Sequence, residues 1–312
     1  MNRSLPCIDG LAVTYLVFTG GLLLLGWQSG WVYRASVLIH LGTAGGIVAL
    51  SVASSLPRGL RGLRQMYPIL LLLLFYAEVD LYVKLLHDPP GYDALVESWD
   101  AVLFGGHPHV YLSEWLSGRV WAELFHFFYV SYYALVAGSF FFVWQRHPRA
   151  FPRFSFVVTG MFASYMAIFM AFPVAGPLAD AGTTVSATGV FPRLVSWIYA
   201  PLRMNGIATG AFPSSHVGMS VGIVCLIAPR RWWSWGVLWA LVGGIAVSTT
   251  YGGFHYAVDA VAGAGTGWAL YRAWTALFSI VRAHVATPAE NAADAQISAA
   301  SAGEPVSSNL ER

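Results

Sequence analysis

The sequence predicts an all-α integral membrane protein, and three observations carry that prediction. The chain has 312 residues, of which 57% are hydrophobic and only 10% charged, whereas about a quarter of the residues in a soluble domain are charged. Its mean hydropathy is +0.60. The apolar residues fall in runs long enough to cross a bilayer core, which takes about 20 residues in a helix. Arginine collects in alternate connections between those runs, the pattern of cytoplasmic loops.

Eight spans are expected, at 11–28, 35–55, 66–83, 120–144, 154–173, 215–229, 232–250 and 256–281. The first has no cleavage site of the A-x-A type and reads as a retained signal-anchor. The sixth is short, the eighth carries Asp259, and both begin with polar motifs. Arg3, the connections with Arg58, Arg61 and Arg64, with Arg146, Arg149 and Arg153, and with Arg230 and Arg231, and Arg282 all fall on one side. The other side holds Arg34, Lys84, Arg119, Arg193 and Arg203. The Arg-rich side, with both termini, is therefore expected in the cytoplasm.

The chain divides into two N-terminal spans in 1–65, a six-helix membrane core in 66–284 formed by spans three to eight, and a tail in 285–312. The small, polar, Ala-rich tail is expected to be disordered. Two long connections lie outside. In 84–119, Trp, Tyr and acidic residues alternate with short apolar runs, which suits short helices at the membrane interface. The second, 174–213, is rich in Gly, Pro, Thr and Ser. No internal repeat supports a transporter architecture. Net charge is +2 with no basic run, so the bilayer is the expected partner and nucleic acid is not. Cys7 and Cys225 face a compartment where disulfides are rare, and they take no role.

Two stretches carry chemistry. FPSSHVGMS at 212–220 places Pro213 and Ser214, both helix-start residues, before an apolar helix. The unpaired N–H groups of such a first turn, with the helix dipole, make an anion site, and His216 lies in that turn. YGGFHYAVDAVAG at 251–263 sets His255 and Asp259 four residues apart, one helical turn. A carboxylate there can hold one imidazole nitrogen and leave the other basic. Each stretch also has a plainer reading, as an interfacial helix cap. Both lie at the outer ends of their helices, however, and ionisable groups at one membrane level are costly enough to point to function. Gly218/Gly222 and Gly263/Gly267 are small-xxx-small pairs that let the two helices approach.

Pro-Ser-x-His followed after one intervening helix by His-x-x-x-Asp resembles motifs two and three of the type 2 phosphatidic acid phosphatase superfamily. WDAVLFGGHPHVYLSEWL, ELFHFFYVSYY and FPVAGP are similar to the branch that includes inositol phosphorylceramide synthase, and the resemblance covers about 75–270. The chain departs from the phosphatase pattern in three places. Thr249 stands where the third motif has arginine, Ser215 where the second often has glycine, and a Lys-x6-Arg-Pro first motif is missing.

The resemblance implies a phosphatase-like core acting on a membrane lipid phosphate. His255 would be the nucleophile, Asp259 its orienting partner and His216 the general acid and base, with no metal or other cofactor required. Ser214, Ser215, Arg203 and Arg193 would hold the phosphoryl oxygens. The departures tilt the expectation toward headgroup transfer, with monoester hydrolysis as the alternative and a lipid or solute transporter further off. The expected location is a bacterial inner (plasma) membrane with the site facing outward.

Zinc is the rival reading, since two histidines and an aspartate can make a catalytic site, but no third histidine stands at ligand spacing. His126 and His40 sit on apolar faces and read as packed residues, although Glu123 and His126 can also line the pocket. Asp80 and Lys84, four apart, read as a stabilising pair.

Overall fold

A computed structural model describes residues 6–53, 56–87, 91–177, 189–204, 209–227 and 232–285. Among these the secondary structure is entirely helical. The helices are α1 (Pro6–Leu23), α2 (Trp31–Val52), α3 (Arg58–Leu86), α4 (Asp93–Phe104), α5 (Pro108–Trp115), α6 (Arg119–Arg146), α7 (Phe151–Ala171), α8 (Val190–Met204), α9 (Ser215–Ile227), α10 (Trp232–Tyr251) and α11 (Ala257–Val285). Arg3, Arg230, Arg231 and the tail from 286 lie outside the described residues.

Every expected span falls on a helix. Four segments are long and apolar enough to cross a membrane by themselves: Cys7–Gly26, Trp31–Val52, Arg119–Arg146 and Phe151–Ala171. Helix α9 is a shorter apolar helix, Ser215–Ile227. Helix α3 runs well beyond its apolar stretch at both ends, because backbone hydrogen bonding continues where hydropathy stops.

The core follows from one sequence feature. Helix α7 has no charged residue after Arg153 and is apolar all round, the pattern of a helix enclosed by others. It packs against α1, α3, α6, α9 and α11, and Phe154, Val157, Val158, Met161, Tyr165, Met166 and Phe169 are fully buried. Helices α9 and α11 approach closely through glycine. A Cβ added to Gly218 would stand 2.7 Å from the Gly263 carbonyl oxygen, and one on Gly267 would enter the Gly218 backbone. Gly222 lies against both neighbours: a Cβ there would run into the Met161 side chain of α7 and stand 3.7 Å from Tyr271 Cβ of α11.

Two buried polar knots join the N-terminal helices to α3. Arg64 was expected in a cytoplasmic connection, but it is buried within α3, donating to both Asp9 carboxylate oxygens while Tyr67 Oη donates to Asp9 Oδ1 at 2.7 Å. Pairing and hydrogen bonding offset part of the cost of burying that charge. In the second, His40 Nδ1 lies 2.9 Å from the Ser36 carbonyl, and Nε2 lies 3.1 Å from Thr19 Oγ1 and 3.4 Å from Glu78. His40 is thus the packed residue expected.

The connection 84–119, expected to carry short helices, forms α4 and α5. The connection 174–213, expected as a loop, contains α8. Pro192 and Pro201 disguise it in the sequence, yet Pro192 sits in the first turn, where its missing N–H costs no hydrogen bond.

Candidate active site

The N-termini of α9 and α11 lie side by side, and short backbone bonds fix the segments leading into them. Val174 O accepts N–H from Gly210 (3.0 Å) and Ala211 (2.9 Å), and Ser214 N donates to Asp259 O at 2.9 Å. Thr249 O accepts N–H from both Phe254 and His255, each at 3.1 Å. Position 249 therefore holds the His255 loop through its carbonyl. Its side chain is fully buried, with Oγ1 donating to Ala246 O at 2.8 Å.

His255 is buried and precedes α11 by two residues, so the i,i+4 pair forms across a helix start and not along a helix face. Its Nδ1 lies 2.7 Å from Ala211 O and 3.4 Å from Asp259 Oδ2. A carbonyl only accepts, so Nδ1 carries the proton and Nε2 keeps its lone pair. That lone pair faces Ser214 Oγ at 3.3 Å. Asp259, fully buried, accepts Tyr256 N–H on Oδ2 at 2.8 Å, while Oδ1 has no hydrogen-bond partner among the described residues.

The His216 ring lies 5.6 Å from that of His255, centroid to centroid, inclined at 72°. Neither of its ring nitrogens has a hydrogen-bond partner among the described residues, and both are sealed from solvent. It is walled by Tyr132 (4.4 Å), Tyr129 (4.9 Å) and Tyr133 (6.1 Å), which share one face of α6. A hydrogen bond between the hydroxyls of Tyr129 and Tyr199 ties this wall to α8, and Tyr199 stacks on Phe254, the residue before His255.

Ser214 and Ser215 are buried where α9 begins. Ser214 O accepts Gly218 N–H at 3.0 Å, and its Oγ stands 3.5 Å from Val217 N. Arg193 lies exposed on α8; Arg203 is on the same helix, and its side chain lies outside the described residues. Glu123 has a structural task. Its carboxylate accepts N–H from Val190 (2.8 Å) and Phe191 (3.0 Å) and so anchors the start of α8. His126 packs edge-on to Tyr251 and Phe254, with Nδ1 2.7 Å from Ala122 O. Asp80 pairs with Lys84 at 3.2 Å and also accepts from Thr209 Oγ1 at 2.8 Å. Among the described residues no group of three or more His, Cys, Asp or Glu side chains is placed to hold a metal ion.

Against known proteins, a family model described as the PAP2 superfamily matches residues 95–273, more than half of the chain. The chain belongs to the PAP2 superfamily. No curated protein and no solved structure matches it. Membership supports an enzyme, and the superfamily points to lipid phosphatase or phosphotransferase chemistry. The matched segment of this PAP2 protein runs from α4 into α11 and contains both histidines and Asp259, while α1 to α3 precede it.

Proposed function

We propose that this PAP2 protein moves a phosphoryl group from a lipid phosphate ester to an acceptor hydroxyl through a phosphohistidine at His255 Nε2. The carrying observation is the hydrogen bond from Nδ1 to Ala211 O, which leaves the Nε2 lone pair facing the helix-α9 terminus. In the first half-reaction Nε2 attacks phosphorus, the bond to the leaving oxygen breaks, and His216 gives that oxygen its proton. Ser214 Oγ turns from Nε2 toward a phosphoryl oxygen, joined by the first-turn N–H groups of α9, Ser215, and Arg203 and Arg193 of α8. In the second, His216 takes the acceptor's proton, the acceptor oxygen attacks phosphorus, and the P–N bond breaks. Asp259 stabilises the imidazolium charge that develops on His255. The catalytic unit is the six-helix core of 66–284.

A headgroup transferase, similar to inositol phosphorylceramide synthase, is the favoured form. A phosphate monoester carries about −1.5 to −2 charges at neutral pH and a diester one, so a site short of cations suits the diester. Thr249, where the phosphatase motif has arginine, is buried and bonded to its own helix, which supports that reading. Purified protein in detergent, given fluorescent phosphatidylinositol with a lipid alcohol and, separately, phosphatidic acid, should form an exchanged diester. That activity should persist in EDTA, and Arg203→Ala should weaken it. Free phosphate from the monoester with no exchanged diester would make the protein a phosphatase; loss in EDTA with rescue by zinc would make the site a metal centre.

The active site is proposed to face outward from a bacterial inner membrane, with both termini in the cytoplasm. In a background without Cys7 and Cys225, Glu114→Cys on α5 should react with an impermeant maleimide on intact cells, and Arg149→Cys only after permeabilisation. Both positions are exposed. The opposite labelling pattern would put the reaction on the cytoplasmic leaflet.

A further inference from the structure

Helix α4 lies outside the spanning helices, yet it touches all three segments that build the site. At its first turn the Asp93 carboxylate accepts N–H from Ala175 (3.0 Å) and Gly176 (2.8 Å), while Tyr92 N donates to Pro173 O at 2.9 Å. The ring of Trp99 lies against Phe172 (6.2 Å) and Phe212 (5.5 Å). Val96, fully buried, packs with Val174, Ala211, Tyr256 and Val258. At the last turn Asp100, also fully buried, accepts Val258 N–H on Oδ1 at 2.8 Å.

A carboxylate at that place needs a reason, because burying one is costly unless it is hydrogen-bonded. Burial pushes the Asp100 carboxyl up, and the N–H groups of Val258 and Ala257 act against that push. Helix α11 has no Ser, Thr, Asn or Asp at the position before Ala257, where helices usually carry their cap. It takes an acceptor instead from a helix 158 residues earlier in the chain. The start of α11 is thereby fixed against the same helix that grips Ala211 and Val174. His255 is two residues before that start, and its Nδ1 is held by Ala211 O. Two ends of one short segment are thus set by α4.

We propose that Asp100 is a positioning residue for phosphoryl transfer: from α4 it fixes the first turn of α11, and with it the aim of His255 Nε2 at phosphorus. This rests on the phosphohistidine reading of the site. A misplacement of about 1 Å can cost about 10²-fold in rate, so the effect belongs in kcat, not in KM.

The test uses full-length protein from the monodisperse gel-filtration peak, with fluorescent phosphatidylinositol and phosphatidic acid as probes. Asp100→Ala is expected to lower kcat about 10²-fold with KM within about threefold of wild type. Asp100→Asn, whose Oδ1 can still accept Val258 N–H, should recover most of that loss. Trp99→Ala loosens the same helix without stranding a buried donor and should lower kcat about tenfold at similar KM; it decides the matter if Asp100→Ala does not fold. Hydrogen exchange of the 254–262 peptide should be faster in Asp100→Ala and normal in Asp100→Asn. Wild-type kcat in Asp100→Ala or Trp99→Ala, or exchange unchanged in Asp100→Ala, would overturn the proposal. So would a fall in melting temperature alone, which is all that a simple cap would produce. An inactive wild type would count against the reaction itself, and the exchange readout would still decide the role of Asp100.

Discussion

Replacing His255 by alanine is expected to lower kcat by about 10⁴-fold or more, with the protein still folded. Alanine loses the ring's contacts with Ala211 O, Ser214 and Asp259, but the backbone bonds that hold the segment stay. His255 N–H remains bonded to Thr249 O, and Ser214 N remains bonded to Asp259 O. What alanine removes is the lone pair aimed from the segment before α11 toward the start of α9. Asp259→Asn should cost less. In a triad where the carboxylate alone sets the tautomer, the corresponding change costs about 10⁴-fold. Here Ala211 O, at 2.7 Å, is closer to Nδ1 than Asp259 Oδ2 at 3.4 Å, so the tautomer survives and only charge stabilisation is lost. Activity of both variants, measured on protein with an unchanged melting temperature, separates these roles.

Replacing His216 by alanine is the second large effect, expected at about 10²- to 10⁴-fold in kcat. Its two ring nitrogens have no partner among the described residues although they are sealed from solvent, and the ring is held by packing against Tyr129 and Tyr132. A buried polar group left unpaired is costly, and a proton-transfer role gives both nitrogens a use during turnover. The size of the defect should depend on the leaving group. A lipid alkoxide needs a proton as it departs, whereas a nitrophenolate barely does, so His216→Ala should retain far more activity on a nitrophenyl phosphodiester than on a lipid. Equal losses on both would remove the acid role and leave His216 as a wall of the pocket.

Much of this architecture was legible in the chain because the information is local. Apolar runs, the Pro213–Ser214 helix start and the placement of His216 in the first turn each depend on a few adjacent residues. What stayed hidden depends on distant ones. The Ala211 carbonyl has no residue-type signature, since any residue supplies a carbonyl. Asp100 reads as one more polar residue at the interface until α11 arrives above it. Arg64 counted as a loop charge because its partner, Asp9, lies 55 residues away. Helix α8 was masked by its two prolines. The tyrosine wall, by contrast, had a signal: Tyr129, Tyr132 and Tyr133 are spaced i, i+3, i+4, one face of a helix.

The central claim is that phosphorus is carried on His255, and trapping the intermediate tests it most directly. Lipid substrate labelled with phosphorus-32 at its phosphate is mixed with enzyme, quenched in alkali within one turnover, and the protein digested. The account predicts label that survives alkali, is released by acid as a phosphoramidate is, maps to the peptide containing His255, and is absent from His255→Ala. Label on another residue, or its persistence in His255→Ala, would contradict it.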